Sequence, residues 1–295
     1  MSTVLAPQSA KPVVTGAASA PPDPFEPLTV GQMATRVADM AIEKAANPWT
    51  LLVRSLIAGA MVAFGVLLSL TVSIGVTSPG VAALLMGLAF GMSFVLILVS
   101  GMSLITADMA AGFMAVLQKR MSLGAYARLL VVGLVGNCAG ALTFIAVCAA
   151  AGGPYLGAFA QRAAAVAAAK TTQPTMTALL LAVLCTWFLQ TSMCMYFKAR
   201  SDVARMGFAF YGPFAFVIGG TQHVIANIGF LGLPLLLSVL HHDAPATVVE
   251  WGFGSHGLLT NIVVTTLGNL VGGIVFVAVP FQTIAWLQRR GTVLT

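Results

Sequence analysis

From Thr50 to Leu287 the chain alternates long apolar runs with short polar interruptions. Six apolar stretches lie near 50–76, 80–118, 124–152, 174–199, 206–241 and 258–287. A helix needs roughly 20 apolar residues to cross a bilayer. The second and fifth stretches, of 39 and 36 residues, are far longer than that. Each is interrupted near its middle by small and polar residues, Ser100 to Asp108 in one and Gly219 to His223 in the other. We read each as one broken helix rather than two spans, the halves being too short to cross alone. Non-helical backbone at membrane depth is tolerated only where protein or a water-filled cavity satisfies its polar groups. Two broken helices therefore predict a cavity or pore.

The pattern ahead of these stretches is different. Residues 1–28 are rich in Pro, Ala and Ser and read as a disordered cytoplasmic tail. No basic segment followed by an apolar one marks a secretory signal. Val30, Met33, Val37, Met40 and Ala41 recur at helical spacing, with Gln32, Arg36, Asp39 and Glu43 opposite. Thr29 and Gln32 have capping-box spacing. Residues 29–47 thus predict an amphipathic surface helix, and 48–290 a transmembrane pore domain. Lys and Arg gather before the first stretch, at the turns near 119–128 and 198–205, and after the last. Only Arg162 and Lys170 lie on the other side. The positive-inside rule then places both termini in the cytoplasm with six spans.

Composition agrees. Hydrophobic residues form 59% of the 295 and charged residues 7%, against about 25% charged in a soluble domain. That excludes a soluble enzyme, a secreted disulfide scaffold and a disordered chain. The net charge of +6 resides in loops between apolar runs, so nucleic acid is not the expected partner. Cys138, Cys148, Cys185 and Cys194 lie within apolar runs and read as packing residues. No metal site, cofactor or catalytic constellation is expected.

The two halves are related. Gly136-Asn137-Cys138-Ala139-Gly140 in the third stretch and Gly268-Asn269-Leu270-Val271-Gly272 in the sixth both read G-N-x-x-G. Each follows a broken helix with a Phe ahead of its break, Phe90 or Phe216. Three spans per half is odd, so the halves must be inverted. The fold class is an all-α membrane protein with six transmembrane helices in an inverted 3+3 repeat, helices 2 and 5 broken. Such a repeat sets the permeation site at the midplane between the halves.

An ionisable group at that depth is a functional candidate, which singles out His223. It can donate a hydrogen bond or a proton to a small anion, or be held neutral by a backbone carbonyl or Asn227. Thr106 either caps the second half-helix of its stretch or presents its hydroxyl opposite His223. Phe90, Phe94, Leu104 and Phe216 flank the breaks, and Phe90 and Phe216 suggest apolar constrictions around His223. Lys170 is either a solvated loop lysine or an attractor for anions in an outer vestibule.

Taken together, these residues resemble the formate/nitrite transporter family over about 240 residues, from Pro48 to near Arg289. The marks are Leu104-Ile105-Thr106, Lys170-Thr171-Thr172, the run from Gly219 to Asn227, and Leu267 to Gly273. The Ala-Lys-Thr-Thr run and the short loop with His241-His242-Asp243 look most like the nitrite-channel branch. The resemblance implies a homopentamer of aquaporin-like protomers in the bacterial inner membrane, each with its own pore. It implies His223 as the pore histidine, Thr106 as the threonine of the loop that breaks helix 2, and Phe90 with Phe216 as one apolar ring. Phe94 and Leu104 would line the other ring, Lys170 would be the outer attractor, and small monovalent weak-acid anions would be the substrates. The chain departs from the pattern at Ser103 and Gln222, where acids are usual, and at Ile105, Thr186 and Thr221.

The expected function is a channel or transporter for such anions, nitrite first and formate second, proton-coupled through His223. Thr221, Asn227 and Thr186 complete the expected pore set. Two other readings stay open: a neutral-solute channel of water or ammonia type, and a family member that has lost transport and serves as a membrane sensor or structural subunit.

Overall fold

The computed structural model describes residues 26–293, with side chains described as far as Arg290. The tail expected over 1–28 lies almost wholly outside them. Leu28, assigned to that tail, is buried, and its N–H donates to the Lys198 carbonyl at 3.2 Å.

Helix α1 (Val30–Ala45) starts at a capping box in which Thr29 and Gln32 each accept the other's backbone N–H. Its apolar face, Met33, Ala34, Val37, Ala38 and Ala41, is fully buried. It packs mainly on α4 (Ile105–Leu117) and α11 (Val279–Val293). Asn47 then caps α2 (Pro48–Val72), with Pro48 in the first turn where its missing N–H costs nothing.

Among the described residues five helices are long and apolar enough to cross a membrane: α2, α3 (Pro79–Ser100), α5 (Leu123–Ala151), α7 (Thr175–Lys198) and the run Leu258–Arg290. That run comprises α10 (Leu258–Gly273), a π-helical stretch Ile274–Ala278, and most of α11. The second apolar stretch of the sequence is α3 plus α4. Here the expectation from stretch length needs correcting, because α3 with 22 residues is long enough to cross by itself and only α4, with 13, is short. Helical geometry stops after Ser100, where Gly101 takes φ 72°, and resumes at Ile105. A left-handed residue of this kind ends a helix without Cβ strain only when it is glycine. The fifth stretch is α8 (Asp202–Ile218) plus α9 (Val224–Leu240), separated by Gly219 to His223, with Gly220 at φ 64°. Between α5 and α7 lies α6 (Ala158–Thr171).

Helices α4 and α9 occupy the centre, and every residue of α9 from Val224 to Leu235 is buried. Around them α2 packs on α5, α7 on α10, and α3 on α8. Two of these contacts need glycine. A Cβ on Gly140 would run into the Leu56 carbonyl, and one on Gly272 into the Val183 carbonyl. Close backbone approach through small residues is the usual packing device between membrane helices.

Candidate functional site

The site is built from two asparagines. Asn137 on α5 accepts the Ile105 N–H at 2.8 Å, the first helical N–H of α4, and donates to the carbonyls of Ser55 and Ser103 at 2.7 and 2.9 Å. Asn269 on α10 accepts the Val224 N–H at 3.0 Å, the first of α9, and donates to the carbonyls of Ala182 and Gln222 at 2.8 and 3.0 Å. Both are fully buried. Each satisfies a helix-start N–H together with the carbonyl two residues before it, in the irregular segment that precedes the helix. Such groups cannot be left bare at membrane depth. These are the asparagines of the two G-N-x-x-G motifs.

The clamps bring His223 and Thr106 together. His223 is the N-cap residue of α9, and its Nδ1 accepts the Ala226 N–H at 3.1 Å. Its Nε2 lies 2.9 Å from Thr106 Oγ1. An imidazole nitrogen that accepts a backbone N–H carries no proton, so in the neutral ring Nε2–H is the donor. Thr106 Oγ1 is then the acceptor, and its own O–H remains free to donate. The cap of α4 is Leu104, without a side-chain bond, so of the two roles open to Thr106 its hydroxyl takes the contact with His223. Nor is His223 held by Asn227, whose amide donates to Gln222 Oε1 and Asn261 Oδ1 at 2.6 and 2.7 Å.

Phe216 stacks on the His223 ring at 5.2 Å between centroids, and Phe90 meets Phe216 edge-on at 5.4 Å. The two phenylalanines thus form one constriction. With Val62, Phe94, Leu104, Leu189 and His223 they enclose a space of about 10 Å³. That is about the least that holds one water, so the passage here is dry or nearly so. A cavity of about 390 Å³ adjoins it through Phe216 and His223 and is lined also by Arg162, Lys170, Gln173 and Thr221 among others. A separate basin of about 550 Å³ is lined by Arg36, Lys44, Arg54 and Arg205, with Asp39, Glu43 and the turn residues Gly101 and Met102.

Lys170 is not in a loop. It stands in the last turn of α6, half-buried, donating to the Thr221 carbonyl at 3.1 Å and lying 5.2 Å from the Phe230 ring centre. Burial pushes its ammonium down to about 8. Thr221 lines the same vestibule and its hydroxyl donates to the Phe216 carbonyl. Thr186, expected among pore residues, is buried on α7, lines none of these three cavities, and its Oγ1 has no partner.

Of three positioning groups, Gln190 and Lys44 were not read from the sequence, and Gln222 was read only as a departure from the family pattern. Gln190, one turn beyond Thr186, donates its amide to the Thr106 carbonyl in the space left by Gly273. Gln222 ties its segment to α6, donating to the Lys170 carbonyl and Gln173 Oε1. Lys44 of α1 forms a buried ion pair of 2.9 Å with Asp108, which also accepts from Ser103 Oγ. Asp108 thus supplies beside Ser103 the carboxylate that position 103 lacks.

An all-helical bundle with apolar helices long enough to cross a membrane, and a small apolar space opening beside a cavity lined by Arg162 and Lys170, suits passage across a membrane. A sequence model described as Formate/nitrite transporter matches residues 31–283, and the chain belongs to that family. It is 27% identical to the nitrite transporter NirC of Salmonella typhimurium, covering 86% of this chain and 90% of that one. It is 30% identical to a probable formate transporter of Methanothermobacter thermautotrophicus, covering 77% and 85%. Among solved structures it superposes on an FNT family ion channel with TM-score 0.74 at 25% identity, covering 86% of this chain and 98% of the other. A pentameric formate channel with formate bound shares the fold, with TM-score 0.68 at 24% identity, covering 80% and 97%. The protein is a multi-pass membrane transporter and not an enzyme.

Proposed function

We propose that each protomer conducts small monovalent anions of weak acids, nitrite first and formate second, along the line from the Lys170 vestibule past His223 and Thr106 to the basin beside Lys44. The observation on which this rests is the Thr106–His223 hydrogen bond at the apolar neck. A bare charge at the bilayer centre costs at least about 2.5 kcal/mol. Lys170 lowers that cost in the vestibule. Desolvation between Phe90 and Phe216 then raises the anion's affinity for a proton, so it crosses the neck as the neutral acid, protonated from water in the vestibule before it enters, or as the anion bonded to the Thr106 hydroxyl. His223 fixes that hydroxyl by donating to its oxygen. With Nδ1 engaged by Ala226, the ring acts through Nε2–H and not as a store for a second proton.

The paired clamps of Asn137 and Asn269 support six spans in an inverted 3+3 repeat with the second and fifth broken. The family's pentameric formate channel supports a homopentamer of aquaporin-like protomers. Clustering of Lys and Arg favours both termini being cytoplasmic, and the bacterial relatives favour a bacterial inner membrane. Proteoliposome uptake with a panel of nitrite, formate, acetate, water and ammonia tests the reading. Anion uptake above empty vesicles is the result expected; passage of neutral solutes alone would replace it with the neutral-channel reading.

A further inference from the structure

Arg54, Arg120 and Arg205 each pair with an acid, and Lys44 pairs with Asp108. Arg162 and Lys170 are among the cations that pair with no acid among the described residues, and what sets them apart is that they share a vestibule lined by no acid among those residues. Both are half-buried. They stand eight residues apart on one face of α6, with Ala165, Val166 and Ala169 between them along the same wall. Eight helical residues span about 12 Å.

Arg162 is held by neutral groups alone. Its Nε donates to Ser73 Oγ at 2.9 Å and its Nη2 to Met86 Sδ at 3.4 Å. Thioether sulfur is a weak acceptor, so the guanidinium is positioned without being neutralised. Nη1 and the second N–H of Nη2 remain free, and together they form a fork suited to two oxygens of one anion. A half-buried cation without a counter-charge is costly, and an anion arriving in the vestibule would supply that charge.

We propose that Arg162 is a second anion-binding residue of this protein, a capture site for a two-oxygen monovalent anion, nitrite or a carboxylate, that hands it along α6 to Lys170. This rests on the anion-transport reading above. Capture lowers the half-saturating concentration and leaves passage through the neck unchanged. Nitrite uptake is therefore measured in proteoliposomes over a concentration series, for wild type, Arg162→Gln and Arg162→Lys. Gln keeps a donor for Ser73 and loses the charge, whereas Lys keeps the charge and loses the fork. At low ionic strength R162Q should raise the half-saturating concentration about threefold or more with maximal rate preserved, and R162K should recover part of that shift. At about 1 M salt the difference should shrink but persist, because a half-buried contact pair is screened much less than an exposed one. Wild-type uptake with an unchanged half-saturating concentration in R162Q would overturn the proposal. So would an equal fall in maximal rate in both variants with no shift, which marks Arg162 as a brace between α6, α2 and α3. Absence of uptake in wild type would instead overturn the transport reading.

Discussion

His223 Nε2 and Thr106 Oγ1 are 2.9 Å apart, across 117 residues of sequence and between two irregular segments that meet at the centre of the bundle. The bond needs both helix starts in register, since each residue is fixed by its own segment. His223 has two separable tasks, capping α9 through Nδ1 and reaching Thr106 through Nε2. His223→Asn retains an oxygen at the capping distance but is too short to reach Thr106. His223→Gln reaches Thr106 and loses the cap. Uptake should therefore fall strongly in H223N with little loss of thermal stability, while H223Q should keep more uptake and lose roughly 1 kcal/mol of stability. The reverse ranking in flux and melting measurements would show that the cap is the task that matters for transport.

The Asn137 and Asn269 clamps should respond alike. Asn137→Ala or Asn269→Ala strips the partner from one helix-start N–H and one carbonyl of the irregular segment, and removes a second bond from a carbonyl already bonded within its helix. Each buried group so orphaned costs about 1–3 kcal/mol. Both variants should melt at lower temperature in detergent and lose uptake to a similar degree. A silent result for either one would contradict the paired role.

Much of this plan was legible in the apolar pattern. The positions of the two irregular segments follow from Gly101, Gly220 and the polar residues beside them, and His223 stands out as an ionisable group at depth. The G-N-x-x-G motifs were legible as a repeat, but what their asparagines bond is fixed only by how α5 packs on α2 and α10 on α7. Helix α6 was missed because its Ala-rich run carries no apolar period, although Ala has the highest helix propensity. That omission made Lys170 look like a loop residue. The Lys44–Asp108 pair joins positions 64 apart, and no local spacing encodes it.

That pair docks α1 against α4, with side chains 4% and 0% exposed. Removing one partner of a buried ion pair typically costs about 3–5 kcal/mol, whereas replacing both by apolar groups is often neutral. Lys44→Met should destabilise the protein and expose α1 to protease. The double variant Lys44→Met with Asp108→Leu should recover most of the loss. Thermal melting and limited proteolysis check this, and equal destabilisation in single and double variants would show that the charges are not paired to any effect.

Lys170 gives a pH signature. With its ammonium held near 8, it is charged below that pH and neutral above it. Recruitment of anions should weaken as pH rises through 8. Lys170→Arg keeps its charge throughout the range, so the ratio of wild-type to K170R uptake should fall between pH 7 and 9. The ratio cancels the titration of the anion itself. A constant ratio in stopped-flow uptake would show that Lys170 charge does not govern recruitment.

On the path proposed here the Thr106 hydroxyl bonds the passing anion, and Thr106→Val removes it while preserving shape. Initial rates of nitrite and formate uptake into proteoliposomes, at matched amounts of assembled protein, test it directly. Both rates should drop at least about tenfold, the effect of losing about 1.4 kcal/mol from a charge-assisted hydrogen bond. Rates equal to wild type for both anions would contradict the account.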